Sequence, residues 1–116
     1  MNERMKKRLE KAEWRARHRR KSMENILNKY FGLDQKKDVL DMGCGQSFGI
    51  ITNYLAKSCR SIVGVDLNKE WINECKKRKA KNAKFVVADI QKMQFNAESF
   101  NLILCTEMIE HVEDRG

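Results

Sequence analysis

"VLDMGCGQSFG", residues 39–49, decides how the rest of the chain is read. A short apolar run leads to Asp41, and Gly43, Gly45 and Gly49 follow. Glycines at the end of such a run let the backbone turn sharply and let a ligand approach main-chain N–H groups. The next stretch, "FGIITNYLAKS" (48–58), is helical in composition, so the segment reads as strand, tight turn and helix. A dinucleotide fingerprint, G-x-G-x-x-G, would need glycine at 48, where Phe48 stands. No G-K-[ST] follows to build a phosphate loop either. The pattern is D-x-G-x-G instead, starting at Asp41.

Three further apolar runs continue the alternation. "SIVGVD" (61–66), "KFVVAD" (84–89) and "FNLILC" (100–105) join "DVLDM" (38–42) as strand candidates, with "NKEWINECKKRKA" helical between the second and third. None alternates strictly with polar residues, as expected for a parallel sheet covered by helices. Strand–helix–strand order implies right-handed crossovers and an open α/β sheet. In such sheets ligands bind beyond the carboxyl ends of the strands, where the glycine turn falls.

Two more acids stand at strand ends. Asp66 closes the second strand, where a carboxylate can accept from both ribose hydroxyls of a nucleoside. Asp89 closes the third within "VVADI", where it can accept from an adenine amino group while Ile90 packs on the ring. Either acid alone fits a capping residue equally well. Three in register behind one glycine turn point to a nucleoside-bearing ligand.

Upstream, residues 3–31 read as one basic amphipathic helix. Met23, Ile26, Leu27, Tyr30 and Phe31 form an apolar stripe, Met5, Leu9, Ala12 and Ala16 a weaker one, and Gly32 a stop. Residues 1–37 hold 13 Lys/Arg against 5 Asp/Glu, while 38–116 hold 11 of each, so the net charge of +8 belongs to this segment. Three uses fit it. The first is a solvated face on a helix covering the sheet. The others are an RNA-contacting stripe through Arg15, Arg17, His18, Arg19, Arg20 and Lys21, and a helix for an anionic membrane or a partner.

At 116 residues, 41% of them hydrophobic, the chain suits one globular domain. No apolar run approaches the ~20 residues of a membrane span. The first residues lack the apolar core of a secretory signal, and Glu3, Glu10, Glu13 and Glu24 do not suit a mitochondrial presequence. Cys44, Cys59, Cys75 and Cys105 show no ligand spacing, so reduced thiols in a cytoplasmic protein are expected.

The series "VLDMGCGQSFG", "IVGVDLN", "FVVADIQKMQF" and "SFNLILCTEMIEHVED" resembles the class I S-adenosylmethionine-dependent methyltransferases over about residues 37–114. The resemblance implies a Rossmann-like, doubly wound parallel sheet, with residues 37–116 as the cofactor-binding domain behind the basic helix of 1–36. It implies that Asp41 and the Gly43–Cys44–Gly45 backbone meet the methionine portion of S-adenosylmethionine. By the same resemblance Asp66 holds the ribose, Leu67 faces the adenine, Asp89 and Ile90 flank the base, and Cys105 and Thr106 lie beside the sulfonium. The family often has a third glycine where this chain has Ser47.

"EMIEH" also recurs in the family. In many members it is a helix start beside the substrate, the role favoured here. In small-RNA 3′-terminal 2′-O-methyltransferases and some ubiquinone-pathway O-methyltransferases it holds a magnesium-type ion. Glu107, Glu110 and His111 share one helical face and offer hard ligands, so Mg²⁺ at these residues is the alternative.

The expected activity is methyl transfer to a small-molecule hydroxyl or carbon. The alternatives are RNA 2′-O-methylation and a non-catalytic partial domain. The resembling family orders its strands 3-2-1-4-5-7-6, of which this chain supplies the first four. The 116 residues are therefore expected to be a fragment or to pair with another chain, self-associating through the exposed edge of the fourth strand.

Overall fold

Helix α1 runs Glu3–Phe31, the span its apolar spacing predicts. The computed structural model describes residues 2–44, 48–89 and 99–105. Asn2 caps the helix, its side chain accepting from the Met5 N–H at 2.8 Å, and Glu3 adds a negative charge to the first turn. Gly32 ends it in the left-handed region, φ 62°, with its N–H returned to the Leu27 carbonyl.

The remaining elements alternate. They are β1 (Asp38–Met42), α2 (Ile50–Leu55) with a 3₁₀ turn over Ala56–Ser58, β2 (Ser61–Asp66), α3 (Lys69–Lys76), β3 (Ala83–Val87) and β4 (Leu102–Leu104). All strand pairs are parallel and the order is β3-β2-β1-β4. That is the expected doubly wound α/β sheet in its first four strands. β1 and β2 have their predicted bounds. β3 stops at Val87, so Asp89 lies two residues past the strand rather than at its end. β4 is shorter than "FNLILC", three residues paired to β1 alone among the described residues.

Register determines what shares a face. Val39, Asp41, Ile62, Gly64, Asp66, Ala83, Phe85, Leu102 and Leu104 stand on one side of the sheet, because parallel partners point the same way and each strand alternates. The apolar members pack with Ile51 and Leu55 of α2, Ile72 and Cys75 of α3, and Leu27 of α1 into the main core. A second cluster joins Met5 and Ala12 of α1 to Phe48, with Leu9, Ile50 and Trp71 at its margin. The weaker of the two stripes on α1 thus packs against the segment that leads into α2. In the stronger stripe Leu27 is buried and Ile26 half-buried, while the side chains of Met23, Tyr30 and Phe31, like that of Ala16, lie outside the described set.

The edge opposite the site is tied by Asp38. It accepts from Arg60 Nε at 2.9 Å and from Ser61 Oγ at 2.7 Å, and its carboxyl is held down to about 2 by those two hydrogen bonds. No described helix is long and apolar enough to cross a membrane. All four cysteines are free thiols.

Candidate functional site

The parallel sheet brings the sequence-predicted residues to its carboxyl edge. β1 delivers Asp41 beside Gly64 of β2, and β2 continues two residues further to Asp66, so both acids share the helix-bearing face. Asp41 is fully buried and Asp66 is 8% exposed. Thr52 Oγ1, from the first turn of α2, donates to Asp41 Oδ2 at 2.6 Å.

Between β1 and α2 the chain turns at Gly43. Its φ of 78° favours glycine, and its N–H donates to the Val65 carbonyl at 2.8 Å. Among the described residues, a Cβ built on Gly43 would meet only Cys105 Sγ, 4.0 Å away, which places the turn beside the end of β4. On the far side of the turn Phe48 takes φ 55° and is fully buried, and Gly49 takes φ 73°. Left-handed backbone is uncommon for a bulky residue, and here it sends the Phe48 ring under α1.

Cys44 is buried, its Sγ lying where a Cβ on Gly64 would come within 2.8 Å. A hydrogen bond with Cys75, then burial, push its thiol well above the usual range. Its side chain is core, so only its backbone is available to a ligand.

At the end of β2, Asp66 Oδ1 accepts from the Asn68 N–H at 3.0 Å, and Asn68 in turn caps α3 by accepting from the Trp71 N–H at 3.0 Å. Leu67, between them, is 70% exposed. The Asp66 carbonyl accepts from the Ala88 N–H at 3.0 Å, which keeps the half-buried Asp89 alongside although β3 has ended. A cavity of about 270 Å³ opens next to this corner, lined by Arg4, Met5 and Arg8 of α1 and by Asn68 and Trp71. Arg8 stands over the Trp71 ring, 4.6 Å from its centroid.

Asp41, Gly43, Cys44, Asp66, Leu67, Asp89 and Cys105 are therefore gathered at one edge. Gly45, Ile90, Thr106, Glu107, Glu110 and His111 lie outside the described residues. Among the described residues no three His, Cys, Asp or Glu groups cluster to hold a metal. Two contributors escape a reading of the sequence. Phe48 registers there only as a missing glycine, and Thr52 only as one polar residue in an apolar stretch. The described donor set fits S-adenosylmethionine: buried carboxylates suit ribose hydroxyls and a cationic amino group, and exposed Leu67 suits a flat base.

Comparison with known proteins gives a consistent result. The family described as "Methyltransferase domain" matches residues 40–116. A ubiquinone biosynthesis O-methyltransferase of Coxiella burnetii is 35% identical over 81 residues, 67% of this chain and 34% of that protein. Its counterpart in Actinobacillus pleuropneumoniae is 33% identical over 100 residues, 79% of this chain and 42% of that protein. The chain thus spans well under half the length of these curated relatives. Among solved structures, the PH0226 protein of Pyrococcus horikoshii superimposes with a TM-score of 0.60 at 29% identity, covering 75% of this chain and 41% of that one. The Haemonchus contortus phosphoethanolamine N-methyltransferase 1, solved with phosphoethanolamine and S-adenosylhomocysteine, gives 0.55 at 28% identity over 60% of this chain and 15% of its own.

Proposed function

The chain belongs to the methyltransferase-domain family, and on that premise we propose that it binds S-adenosylmethionine and serves methyl transfer to a small-molecule hydroxyl. The observation that carries this reading is the placing of Asp41 and Asp66 on one face at the carboxyl edge, with the Gly43 turn between them. When bound, S-adenosylmethionine supplies a methyl group already activated by its sulfonium. What the chain must add is grip, alignment and exclusion of water.

Each residue has a definite part. Asp66 accepts from the ribose hydroxyls and Leu67 covers the adenine. Asp89, with Ile90, flanks the base. Asp41 and the Gly43–Gly45 backbone receive the methionine end, and Cys105 borders the reacting centre. Residues 37–116 form the cofactor-binding unit, and α1 covers its turn. The hydroxyl acceptor is supported by the relatives, which are named ubiquinone biosynthesis O-methyltransferases. The E-x-x-E-H motif is the reason to test Glu107, Glu110 and His111 as Mg²⁺ ligands, since a divalent ion would orient and acidify such a hydroxyl.

The test is titration calorimetry with S-adenosylhomocysteine. Asp66→Ala removes charge-assisted hydrogen bonds and should weaken binding by roughly 10- to 100-fold. An unchanged dissociation constant takes Asp66 out of the site, and tight NAD(H) binding overturns the cofactor class. Turnover that survives EDTA leaves "EMIEH" as a substrate wall rather than a metal site.

A further inference from the structure

Helix α2 buries Ile51, Thr52 and Leu55, and Thr52 alone of these carries a polar side chain. Threonine in a helix commonly returns its hydroxyl to a carbonyl one turn back. Here the hydroxyl reaches out of the helix to Asp41 Oδ2 on β1, at 2.6 Å, and both residues are 0% exposed. That length is typical of a hydroxyl donating to an ionised carboxylate. Valine would fill the same volume, so shape does not account for a hydroxyl at this position.

The bond has two consequences. It fixes the rotation of the carboxylate about its Cβ–Cγ bond, so Asp41 meets its other contacts in one orientation. It also straps the two ends of the glycine turn together, because Asp41 precedes Gly43 and Thr52 follows Gly49. Among the described residues, backbone bonds also hold this turn, Gly43 N–H to the Val65 carbonyl and Gly49 N–H to the Cys44 carbonyl at 3.4 Å. Neither of those touches the carboxylate. Thr52 is its aligning partner from α2.

We propose that Thr52 is a positioning residue for S-adenosylmethionine, holding Asp41 in the orientation that receives the methionine end of the cofactor. This rests on the cofactor reading given above. It makes a selective demand. A ligand with the amino-acid tail must depend on Thr52, and a ligand without it must not.

S-Adenosylhomocysteine and 5′-methylthioadenosine, which share the nucleoside and differ in that tail, are the two probes. Thr52→Val should weaken S-adenosylhomocysteine by about tenfold or more, the scale of a lost hydrogen bond to a charged group. Methylthioadenosine should change less than about twofold, and Thr52→Ser should restore the difference between the ligands. Asp41→Asn should mimic Thr52→Val. If Thr52→Val does not fold, the Thr52→Ser and Thr52→Ala pair, which differs by the hydroxyl alone, gives the same comparison. Equal losses for both ligands would reduce Thr52 to a packing role and overturn the proposal, as would unchanged affinity in Thr52→Val or Asp41→Asn. Failure of the unsubstituted chain to bind either ligand would overturn the cofactor reading and this inference with it. Tight binding of both, weakened by Asp66→Ala but with no ligand selectivity at Thr52, would overturn this inference alone.

Discussion

Gly49→Ala tests whether the turn before α2 is built as described. Gly49 sits at φ 73°, where an L-residue costs about 1–2 kcal/mol. The new methyl would also lie 2.8 Å from Phe85 Cζ, 3.0 Å from Phe85 Cε1 and 3.2 Å from Cys75 Cβ. Those neighbours are buried, and forcing an extra carbon into a packed core costs a further ~1–3 kcal/mol. The sum, about 2–5 kcal/mol, is a large share of the roughly 5–15 kcal/mol that holds a domain folded. Thermal and urea unfolding should both report it, with Tm falling by about 10 °C or more. The two parts separate in a double-mutant cycle with Phe85→Leu, which removes the ring but leaves the backbone strain. In that background the cost of Gly49→Ala should fall to the backbone part, a coupling of about 1 kcal/mol or more. Equal costs in both backgrounds would show that Phe85 is not the obstacle. No cost in either would mean that the turn is not left-handed at Gly49.

The remaining expectations concern charge and thiols. Asp38, lowered from 3.8 to about 2 chiefly by its hydrogen bond with Arg60, contributes stability that is complete above the ordinary carboxylate range and is lost as pH falls through the folded value. The Tm advantage of the unsubstituted chain over Asp38→Asn should therefore be constant near neutrality and shrink between about pH 4 and 2; an advantage that grows on acidification would contradict the Asp38–Arg60 pairing. Cys105 is half-buried beside Gly43, whereas Cys44, Cys59 and Cys75 are buried and burial pushes Cys59 up to about 11. Ellman's reagent at pH 8 should label Cys105 first and the others only after denaturation, and S-adenosylhomocysteine should slow that first labelling; fast labelling of Cys44 would contradict its core position.

The architecture was legible where local rules and tertiary packing agree. Asn2 and Gly32 give α1 both of its ends, because capping is decided by the residues at the boundary. β1 and β2 are flanked by partners on both sides, and their apolar runs coincide with the paired residues. β3 and β4 depart from the apolar pattern. Each is bordered on only one side among the described residues; β3 ends opposite Asp66, the last residue of β2, whereas β4 stops opposite Asp41 although β1 runs on to Met42. The strand-end acids were visible because each closes a recognisable run. Their shared face was not, since it follows from how β1 and β2 align, Asp41 with Gly64. Thr52 is a deeper omission. Its partner is eleven residues away across a turn, and no periodicity marks that contact.

Phe48 shows why a departure from a motif can carry structure of its own. Its left-handed backbone costs about 1–2 kcal/mol, and full burial of the ring returns about 1.5–3 kcal/mol. The strain is therefore sustainable only while something covers the ring, and the covering residues are Met5 and Ala12, with Leu9 at the margin. That makes the first half of α1 part of the turn's construction. The same geometry assigns the charges. With Met5, Leu9 and Ala12 turned inward, Arg4, Arg8, Lys11 and Arg15 recur along the flank of that stripe and, with Lys7, line a groove beside it. That apolar contact supports our reading of the basic side of α1 as a solvated face, and salt-sensitive binding of the chain to RNA or to anionic vesicles would contradict it.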